Sequence, residues 1–250
     1  MKIFKAIIAI FLLLIISLAS LYFFNDASKL KNGYTVYNKK NKDYEVVTKK
    51  PSHWVKLNQV SKKALWAIIV SEDWAFYDHN GVDMFQVKEA IEDSVTQGDK
   101  IRGASTITQQ VVKNALYSNK RSFIRKFKEL IAAFKLESEL TKDEILEQYI
   151  NLIELGDGIY GIKEGARFYF NKLPKDLSAK EGAFLAMLLP SPKKYSISFR
   201  NRKLTDYAKK IIDRILVKLR QAKIIDEDQR YSEANKYLSF EDNKIIESYF

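Results

Sequence analysis

The chain contains no cysteine, and histidine occurs only twice among its 250 residues. The lack of cysteine excludes disulfides, a cysteine nucleophile and zinc sites built on cysteine. It does not indicate a compartment, because an exported protein without cysteine needs no oxidising environment.

Acidic residues are also under-represented, since 31 Asp and Glu stand against 42 Lys and Arg. The resulting net charge of +11 favours polyanionic ligands such as anionic lipid headgroups, pyrophosphates or nucleic acid. No helix-turn-helix, zinc-finger or RNA-binding signature occurs, so we expect no nucleic-acid partner. A hydrophobic share of 46% supports a real core, and the length accommodates one catalytic domain and an anchor.

The longest apolar run covers residues 6–24 and is interrupted only by Ser17 and Ser20. Its length is near the ~20 residues that a membrane-spanning helix needs. Lys2 and Lys5 precede it, which favours a cytoplasmic N-terminus. A cleaved signal peptide is the alternative, but the run stays apolar through Phe24 and so favours an uncleaved anchor. We therefore predict a single-pass anchor over residues 1–24, with the rest of the chain exported.

The remainder divides into three predicted parts. Residues 25–50 are polar and Lys-rich and are interpreted as a juxtamembrane connector, with a short extended piece at 34–37. Residues 51–200 form the domain core, and residues 201–250 add C-terminal helices to it. Capping boxes at Thr141–Glu144 and Ser178–Glu181 predict two helix starts. No series of strands is evident, so the predicted fold class is mostly α.

Residues 102–114, RGASTITQQVVKN, form the most distinctive polar stretch. Ser105 is a candidate N-cap for a helix that follows. Two adjacent polar faces then result, with Ser105, Gln109 and Lys113 on one and Thr106, Gln110 and Asn114 on the other. A polar helix with a lysine on it suits a polyhydroxylated or phosphorylated ligand. The alternative is a surface helix that is merely rich in glutamine.

Two glutamates are candidates for chemistry. Glu72 falls at the end of a predicted helix beside Asp73, and both the helix dipole and that second charge should raise its pKa. A carboxylate with a raised pKa can act as a general base, although an exposed helix-end glutamate is the alternative. Glu129 follows Arg125 by four residues and Lys126 by three, which is also the spacing of a simple ion pair on a helix surface.

The stretch at residues 102–114 resembles the second signature of the peptidoglycan glycosyltransferases of family 51, G-[AG]-S-T-I-T-Q-Q-x-x-K-N. The family's other motifs are matched in order at residues 71–83, 125–129, 144–151 and 156–192. The resemblance covers roughly residues 50–200, and the single apolar run with a short tail resembles the monofunctional members. Departures are small: Gly165 stands where the family often has Ala, and the segment after Pro192 holds fewer prolines than usual.

The resemblance implies a lysozyme-like domain and a role for each matched residue. Glu72 would be the base, and Glu129 a second essential carboxylate that positions the donor-site cations or a divalent metal. Lys113 and Arg121 would bind the donor pyrophosphate. Further substrate contacts would come from Ser105, Thr106, Gln109, Gln110, Asn114, Arg125 and Lys126. The loop after Glu72 would be shaped by Asp73, Phe76, His79 and Gly81.

The implied reaction is polymerisation of lipid II outside the cytoplasmic membrane, with undecaprenyl pyrophosphate released. The implied partners are lipid II, the growing glycan strand, the membrane, and cell-division or wall-synthesis proteins. The resemblance does not imply a definite cofactor. A divalent cation, magnesium or manganese, at the donor pyrophosphate is the one option. Two rival functions remain, a lysozyme-like glycan hydrolase and a non-catalytic wall-binding scaffold. A hydrolase would not need the cations Lys113 and Arg121, because its leaving group is a sugar.

Overall fold

A computed structural model describes residues 2–97, 105–117 and 122–242. This part of the chain is mostly α, as predicted, and is compatible with a lysozyme-like domain. The helices are α1 Lys2–Phe23, α2 Lys62–Glu72, α3 Met84–Gln97, α4 Ile107–Leu116, α5 Phe123–Glu139, α6 Lys142–Leu152, α7 Gly161–Phe170, α8 Ala179–Leu188, α9 Pro192–Tyr195, α10 Ile197–Arg200, α11 Asp206–Gln221 and α12 Glu227–Asn235.

The N-terminal helix α1 contains the predicted anchor. Among the described residues, one span, Ile10–Leu30, is long and apolar enough to cross a membrane. The end of that span cannot be in lipid, because Ala27 and Leu30 are buried against the domain. The candidate span is therefore confined to α1, which exposes most of its described apolar side chains. The arrangement is compatible with a single-pass membrane protein.

The segment at residues 25–50, predicted as a connector, is folded onto the domain. It contains a 3₁₀ turn, Asp26–Leu30, and an antiparallel hairpin of strands β1 Tyr34–Asn38 and β2 Asp43–Val47. The extended piece predicted at 34–37 is thus confirmed. Gln148 of α6 holds the hairpin, because its Oε1 accepts from the Thr35 N–H at 3.1 Å and its Nε2 donates to the Gly33 carbonyl at 2.6 Å.

The centre of the core is α8, in which every residue is buried. Helix α2 lies directly against it, and a Cβ built on Gly182 would collide with Ala64. Glycine therefore permits the close approach of the two helices. Since α2 is fixed along its length by this contact, the position of its C-terminal residue Glu72 is also fixed.

Two predicted helix starts are confirmed and a third is corrected. Capping boxes open α6 at Thr141 and α8 at Ser178. For α4 the predicted cap Ser105 is wrong, because Thr106 occupies that position and accepts from the Gln109 N–H at 3.2 Å. Ser105 lies before the helix.

Strands are more numerous than the sequence predicted. Besides β1 and β2, strands β3 Glu154–Gly156 and β4 Ile159–Tyr160 form a second small antiparallel hairpin. Gly158 makes its turn with φ of 72°, a conformation that favours glycine. The two hairpins meet through a stack of Tyr37 on Tyr160, with ring centroids 3.7 Å apart.

Candidate active site

Glu72 is the last residue of α2 and lies in a cleft, where two other side chains contact its carboxylate. Gln110 Nε2 of α4 donates to Glu72 Oε2 at 2.9 Å. The Tyr149 hydroxyl of α6 lies 3.5 Å from the same oxygen and 3.2 Å from Gln110 Oε1. The Gln110 amide therefore holds one carboxylate oxygen, and the Tyr149 hydroxyl lies beside both groups, so contacts from two helices fix the direction in which the carboxylate points.

The pKa of Glu72 is raised above its ordinary value. Burial is the largest cause, and the charge of Asp73 acts in the same direction. The hydrogen bonds from Gln110 and Tyr149 and the charge of Lys113 act against it. Glu72 is therefore a carboxylate that binds a proton more readily than an exposed one, which is the property required of a general base.

Asp73 organises the loop that follows Glu72. Its Oδ2 accepts from the Ile107 N–H at 2.9 Å, and its Oδ1 lies 2.9 Å from His79 Nε2. His79 Nδ1 accepts from the Gly81 N–H at 3.1 Å, so the ring proton is on Nε2 and is donated to Asp73. Thr106 donates to the Gly81 carbonyl at 2.7 Å. The loop is thus tied to the start of α4, and both nitrogens of His79 are engaged.

Phe76 and Gly81 complete this loop. Phe76 is fully buried beneath it, and Lys142 lies 4.6 Å above its ring. Gly81 has φ of 85° and packs against Ala133 of α5. A side chain there would be strained and crowded, so the close approach of loop and helix depends on glycine.

A cavity of about 380 Å³ opens on one side of the Gln110–Tyr149 pair. We call it the cationic cavity, because its charged residues are Lys42, Lys113, Lys193 and Glu154. Asn114 also lines it, as do Tyr37, Tyr44 and Tyr160 from the two hairpins. Three of the predicted substrate-binding residues, Gln110, Lys113 and Asn114, therefore share one cavity.

A second cavity, of about 540 Å³, contains Glu72 itself. We call it the acidic cavity, because its charged residues are Glu72, Asp73, Asp83, Glu89 and Lys218. Trp74 and Phe85 supply apolar and aromatic surface. Glu72 therefore faces the acidic cavity while its hydrogen-bond partners Gln110 and Tyr149 line the cationic one.

A third group of predicted residues meets between α4 and α5. Glu129 is buried, with Oε1 3.1 Å from Arg125 Nε and Oε2 3.6 Å from Lys126 Nζ. Lys126 Nζ also donates to Ser105 Oγ at 2.9 Å and to Gln109 Oε1 at 3.2 Å. Two cations are thus oriented by one buried carboxylate, which differs from the ion pair on a solvated helix surface.

Arg121 lies outside the described residues, so its predicted role stays a prediction. Sequence reasoning missed other residues of the site. Tyr149 was not among the candidate site residues, yet its hydroxyl lies 3.5 Å from Glu72 Oε2. Its place in the motif at residues 144–151 was the available signal. Lys218 and the hairpin tyrosines had no signal, because no local pattern links them to Glu72.

The described residues do not fit a metal centre built by the protein. No group of three His, Cys, Asp or Glu side chains converges within residues 2–97, 105–117 and 122–242. Glu129 is the carboxylate that was predicted to position either the donor-site cations or a divalent metal. It is already paired with two cations, Arg125 and Lys126. We therefore assign no step to a metal.

Comparisons with known proteins agree with this geometry. The Transglycosylase family profile matches residues 40–233. The chain is 39% identical over 176 residues to a biosynthetic peptidoglycan transglycosylase of Acinetobacter baumannii, covering 70% of this chain and 78% of that protein. It is 42% identical over 142 residues to penicillin-binding protein 1F of Bacillus subtilis, covering 57% of this chain but 20% of that protein.

A third relative, penicillin-binding protein 1A of Neisseria flavescens, is 42% identical over 168 residues, which are 67% of this chain and 21% of that protein. The chain thus spans about a fifth of each penicillin-binding protein and most of the A. baumannii protein. With the family profile matching most of the chain, these similarities show that it belongs to the transglycosylases of glycosyltransferase family 51 and is a peptidoglycan glycosyltransferase.

Proposed function

We propose that this glycosyltransferase polymerises lipid II, with Glu72 as the general base. The observation that carries the proposal is the position of Glu72, a carboxylate with a raised pKa that lies between an acidic and a cationic cavity. A base of this kind fits the deprotonation of a sugar hydroxyl, and a cationic cavity beside it fits a pyrophosphate leaving group.

In the proposed step, Glu72 removes the proton from the 4-hydroxyl of the acceptor's N-acetylglucosamine. That oxygen forms a bond to the anomeric carbon of the donor's N-acetylmuramic acid. The bond from that carbon to the pyrophosphate oxygen breaks, and undecaprenyl pyrophosphate leaves with the electron pair. Attack from the opposite face converts the α-linked donor into a β-1,4 linkage.

The charges of the two cavities indicate which substrate we propose for each cavity. The donor's anionic group suits the cationic cavity, where Lys113 lies with Lys42 and Lys193. The reacting end of the acceptor is an uncharged sugar, which suits the acidic cavity beside Glu72. Lysine and arginine beside a leaving pyrophosphate stabilise its developing charge without proton transfer. We assign Lys113 and Arg121 to this role.

The cluster on α5 extends the proposed donor site. Glu129 fixes Arg125 and Lys126, and Lys126 is further held by Ser105 and Gln109. Because cations held by a buried carboxylate need little reorganisation, they are suited to binding a phosphate group. Glu129 is proposed to position these cations rather than to transfer a proton.

Aromatic side chains complete the proposed donor site. Tyr37 stacks on Tyr160, and Tyr44 packs edge-on against both rings with centroid distances of 5.3 and 5.9 Å. These tyrosines line the same cavity as Lys113. Aromatic rings with hydroxyls present both apolar and hydrogen-bonding surface, which suits a sugar of the growing glycan.

A lipid-linked substrate also accounts for exposed apolar surface outside the anchor. Met84 and Phe85 on α3 and Phe123 and Ile124 on α5 are exposed. Large exposed apolar side chains of this kind suit contact with lipid or another apolar partner. We propose a cytoplasmic-membrane protein with its N-terminus inside and its catalytic domain outside. Cell-division or wall-synthesis proteins stay predicted partners.

The proposal is tested with purified full-length protein in liposomes that contain lipid II. Glycan products are separated on a gel for the parent, Glu72→Gln, and Glu92→Gln, an exposed control on α3. We expect polymer from the parent and the control and none from Glu72→Gln. A parallel reaction with chelator tests whether magnesium or manganese contributes at the donor pyrophosphate.

The rival functions predict other products. A hydrolase releases sugar fragments from preformed peptidoglycan and makes no polymer from lipid II. A scaffold does neither, and Glu72→Gln would leave its wall binding unchanged. Either result would overturn the proposed function.

A further inference from the structure

Lys218 of α11 reaches into the acidic cavity from a part of the chain remote from every family motif. Its Nζ donates to the Val70 carbonyl at 2.8 Å. Val70 is in the last turn of α2, two residues before Glu72, and both residues line the cavity with Lys218. A lysine on the C-terminal carbonyls of a helix satisfies a free acceptor and complements the negative end of the helix dipole.

We propose that Lys218 is a positioning residue for the transfer reaction, which holds the last turn of α2 and places a positive charge in the cavity that Glu72 enters. The inference rests on the proposed role of Glu72 as base. It assigns to α11 a function beyond packing, namely to orient the base and to favour its charged form.

The electrostatic surroundings explain why a cation is needed there. Glu72 ends a helix, where a carboxylate is placed unfavourably, and Asp73 is its neighbour. From the other elements, Asp83 and Glu89 add negative charge to the cavity, while Tyr149 and Gln110 offer neutral donors. Lys113 supplies positive charge from the side of α4.

Lys218 lines the acidic cavity together with Glu72, whereas Lys113 lines the cationic cavity. Burial lowers the pKa of Lys218, and the charge of Glu72 acts against that shift. The two groups thus interact, and each favours the charged form of the other. Glu233, by contrast, does not line the acidic cavity and accepts from the Lys180 backbone N–H at 2.9 Å and from Lys236 Nζ at 2.7 Å.

The experiment compares the full-length parent with Lys218→Met, Lys218→Arg and Lys218→Gln in lipid II polymerisation over a pH series. Methionine removes both the hydrogen bond and the charge, arginine keeps both, and glutamine keeps a donor without the charge. For Lys218→Met we expect kcat to fall about 10-fold or more, since misplacing a catalytic group is costly, with little change in KM.

We also expect the acidic limb of the pH–rate profile to move to higher pH in Lys218→Met. Loss of a nearby positive charge makes the Glu72 carboxylate harder to ionise, so more alkaline conditions are needed to charge the base. Lys218→Arg should restore the limb and most of kcat. Lys218→Gln should show the shifted limb even if methionine prevents folding.

Lys210→Met, on the exposed surface of the same helix, is the matched control and should behave like the parent. A uniform loss of activity at every pH, without a shifted limb, would reduce Lys218 to a purely structural role and overturn the inference. So would a normal profile in Lys218→Gln. If the parent itself makes no polymer from lipid II, the proposed function fails instead, and the two failures are thereby distinguished.

Discussion

The side-chain amide of Gln110 donates a 2.9 Å hydrogen bond to the carboxylate of Glu72, and its carbonyl accepts from the Tyr149 hydroxyl. The amide therefore cannot rotate without losing two contacts. It joins the helix that carries the second family motif to the helix that ends in the proposed base. Gln110 thus contributes to the ionisation of Glu72 in addition to any contact with substrate.

Replacing Gln110 with alanine should move the acidic limb of the pH–rate profile to higher pH. The hydrogen bond from Gln110 lowers the pKa of Glu72, so its loss raises that pKa further. A base with a higher pKa is ionised only at higher pH. The measurement is kcat/KM for lipid II across a pH series. An unchanged limb would show that Gln110 acts on substrate alone.

Glu72→Gln should lose turnover yet unfold at an equal or higher temperature than the parent. Loss of a general base costs ~10²–10⁴ in rate. The pKa of Glu72 is raised in the folded state, so its contribution to stability is present below its ordinary pKa and is lost as pH rises. The neutral amide avoids that loss.

The difference in Tm between Glu72→Gln and the parent should therefore be larger at pH 8 than at pH 5. Calorimetry at the two pH values measures it, with the exposed variant Glu92→Gln as control. A mutant that is less stable at pH 8 than the parent would contradict the buried, charge-disfavouring environment assigned to Glu72.

Lys113→Ala and Arg121→Ala should change the steady-state kinetics of lipid II turnover in a different manner from Glu72→Gln. We expect Lys113→Ala to raise KM and to lower kcat by ~10²–10³, because the cation would contact the pyrophosphate before and during bond breaking. Arg121→Ala should show a smaller loss of the same sign. Steady-state turnover of lipid II measures both. If neither variant changes the kinetics, these residues do not bind the pyrophosphate.

The sequence predicted the helices well, because helix starts depend on local patterns. The capping boxes that begin at Thr141 and Ser178 each predict a helix start from a pattern of only four residues. The cap of α4 was misplaced by one residue, since Ser105 and Thr106 are equally suitable locally. Tertiary contacts decide between them: Thr106 also bonds the Gly81 carbonyl, and Asp73 accepts from the Ile107 N–H.

Long-range contributions to the site were beyond sequence reasoning. Residues 25–50 were interpreted as a connector because their lysines suit solvent. In the structure Gln148 of α6 binds the hairpin, although it lies more than a hundred residues away in the sequence. Lys218 lies in a surface-like amphipathic helix, and only the packing of α11 on α2 brings it to Glu72. Side chains of this kind are found from coordinates, because no fixed spacing relates them to the motifs.

Tyr37→Ala should raise KM for lipid II by ~2–10-fold while kcat changes little. The stack of Tyr37 on Tyr160 lines the cationic cavity, and an aromatic pair contributes ~0.5–1.5 kcal/mol beyond its area. Tyr207→Ala is the matched control, because Tyr207 stacks on Tyr195 in the C-terminal region, outside both cavities. Equal effects of the two variants would indicate a loss of stability rather than of a substrate contact.

Removing residues 1–24 should give a soluble protein that is folded but less active on lipid II in liposomes. The buried residues Ala27 and Leu30 stay in place, so the core keeps its contacts, while the anchor's effect on local substrate concentration is lost.

The truncation also removes a contact of α1 with α5, because the Tyr22 hydroxyl donates to Ser138 Oγ at 3.0 Å. Tyr22→Ala in the full-length chain separates the two effects, since it keeps the anchor and removes this hydrogen bond together with the approach of Lys135 to the Tyr22 ring at 5.1 Å. We expect near-parental turnover from Tyr22→Ala and a clear loss from the truncation, measured at equal protein and lipid II. Equal losses would show that docking of α1 on α5 matters more than anchoring, and full-length protein found only in the soluble fraction of cells would favour the cleaved signal peptide.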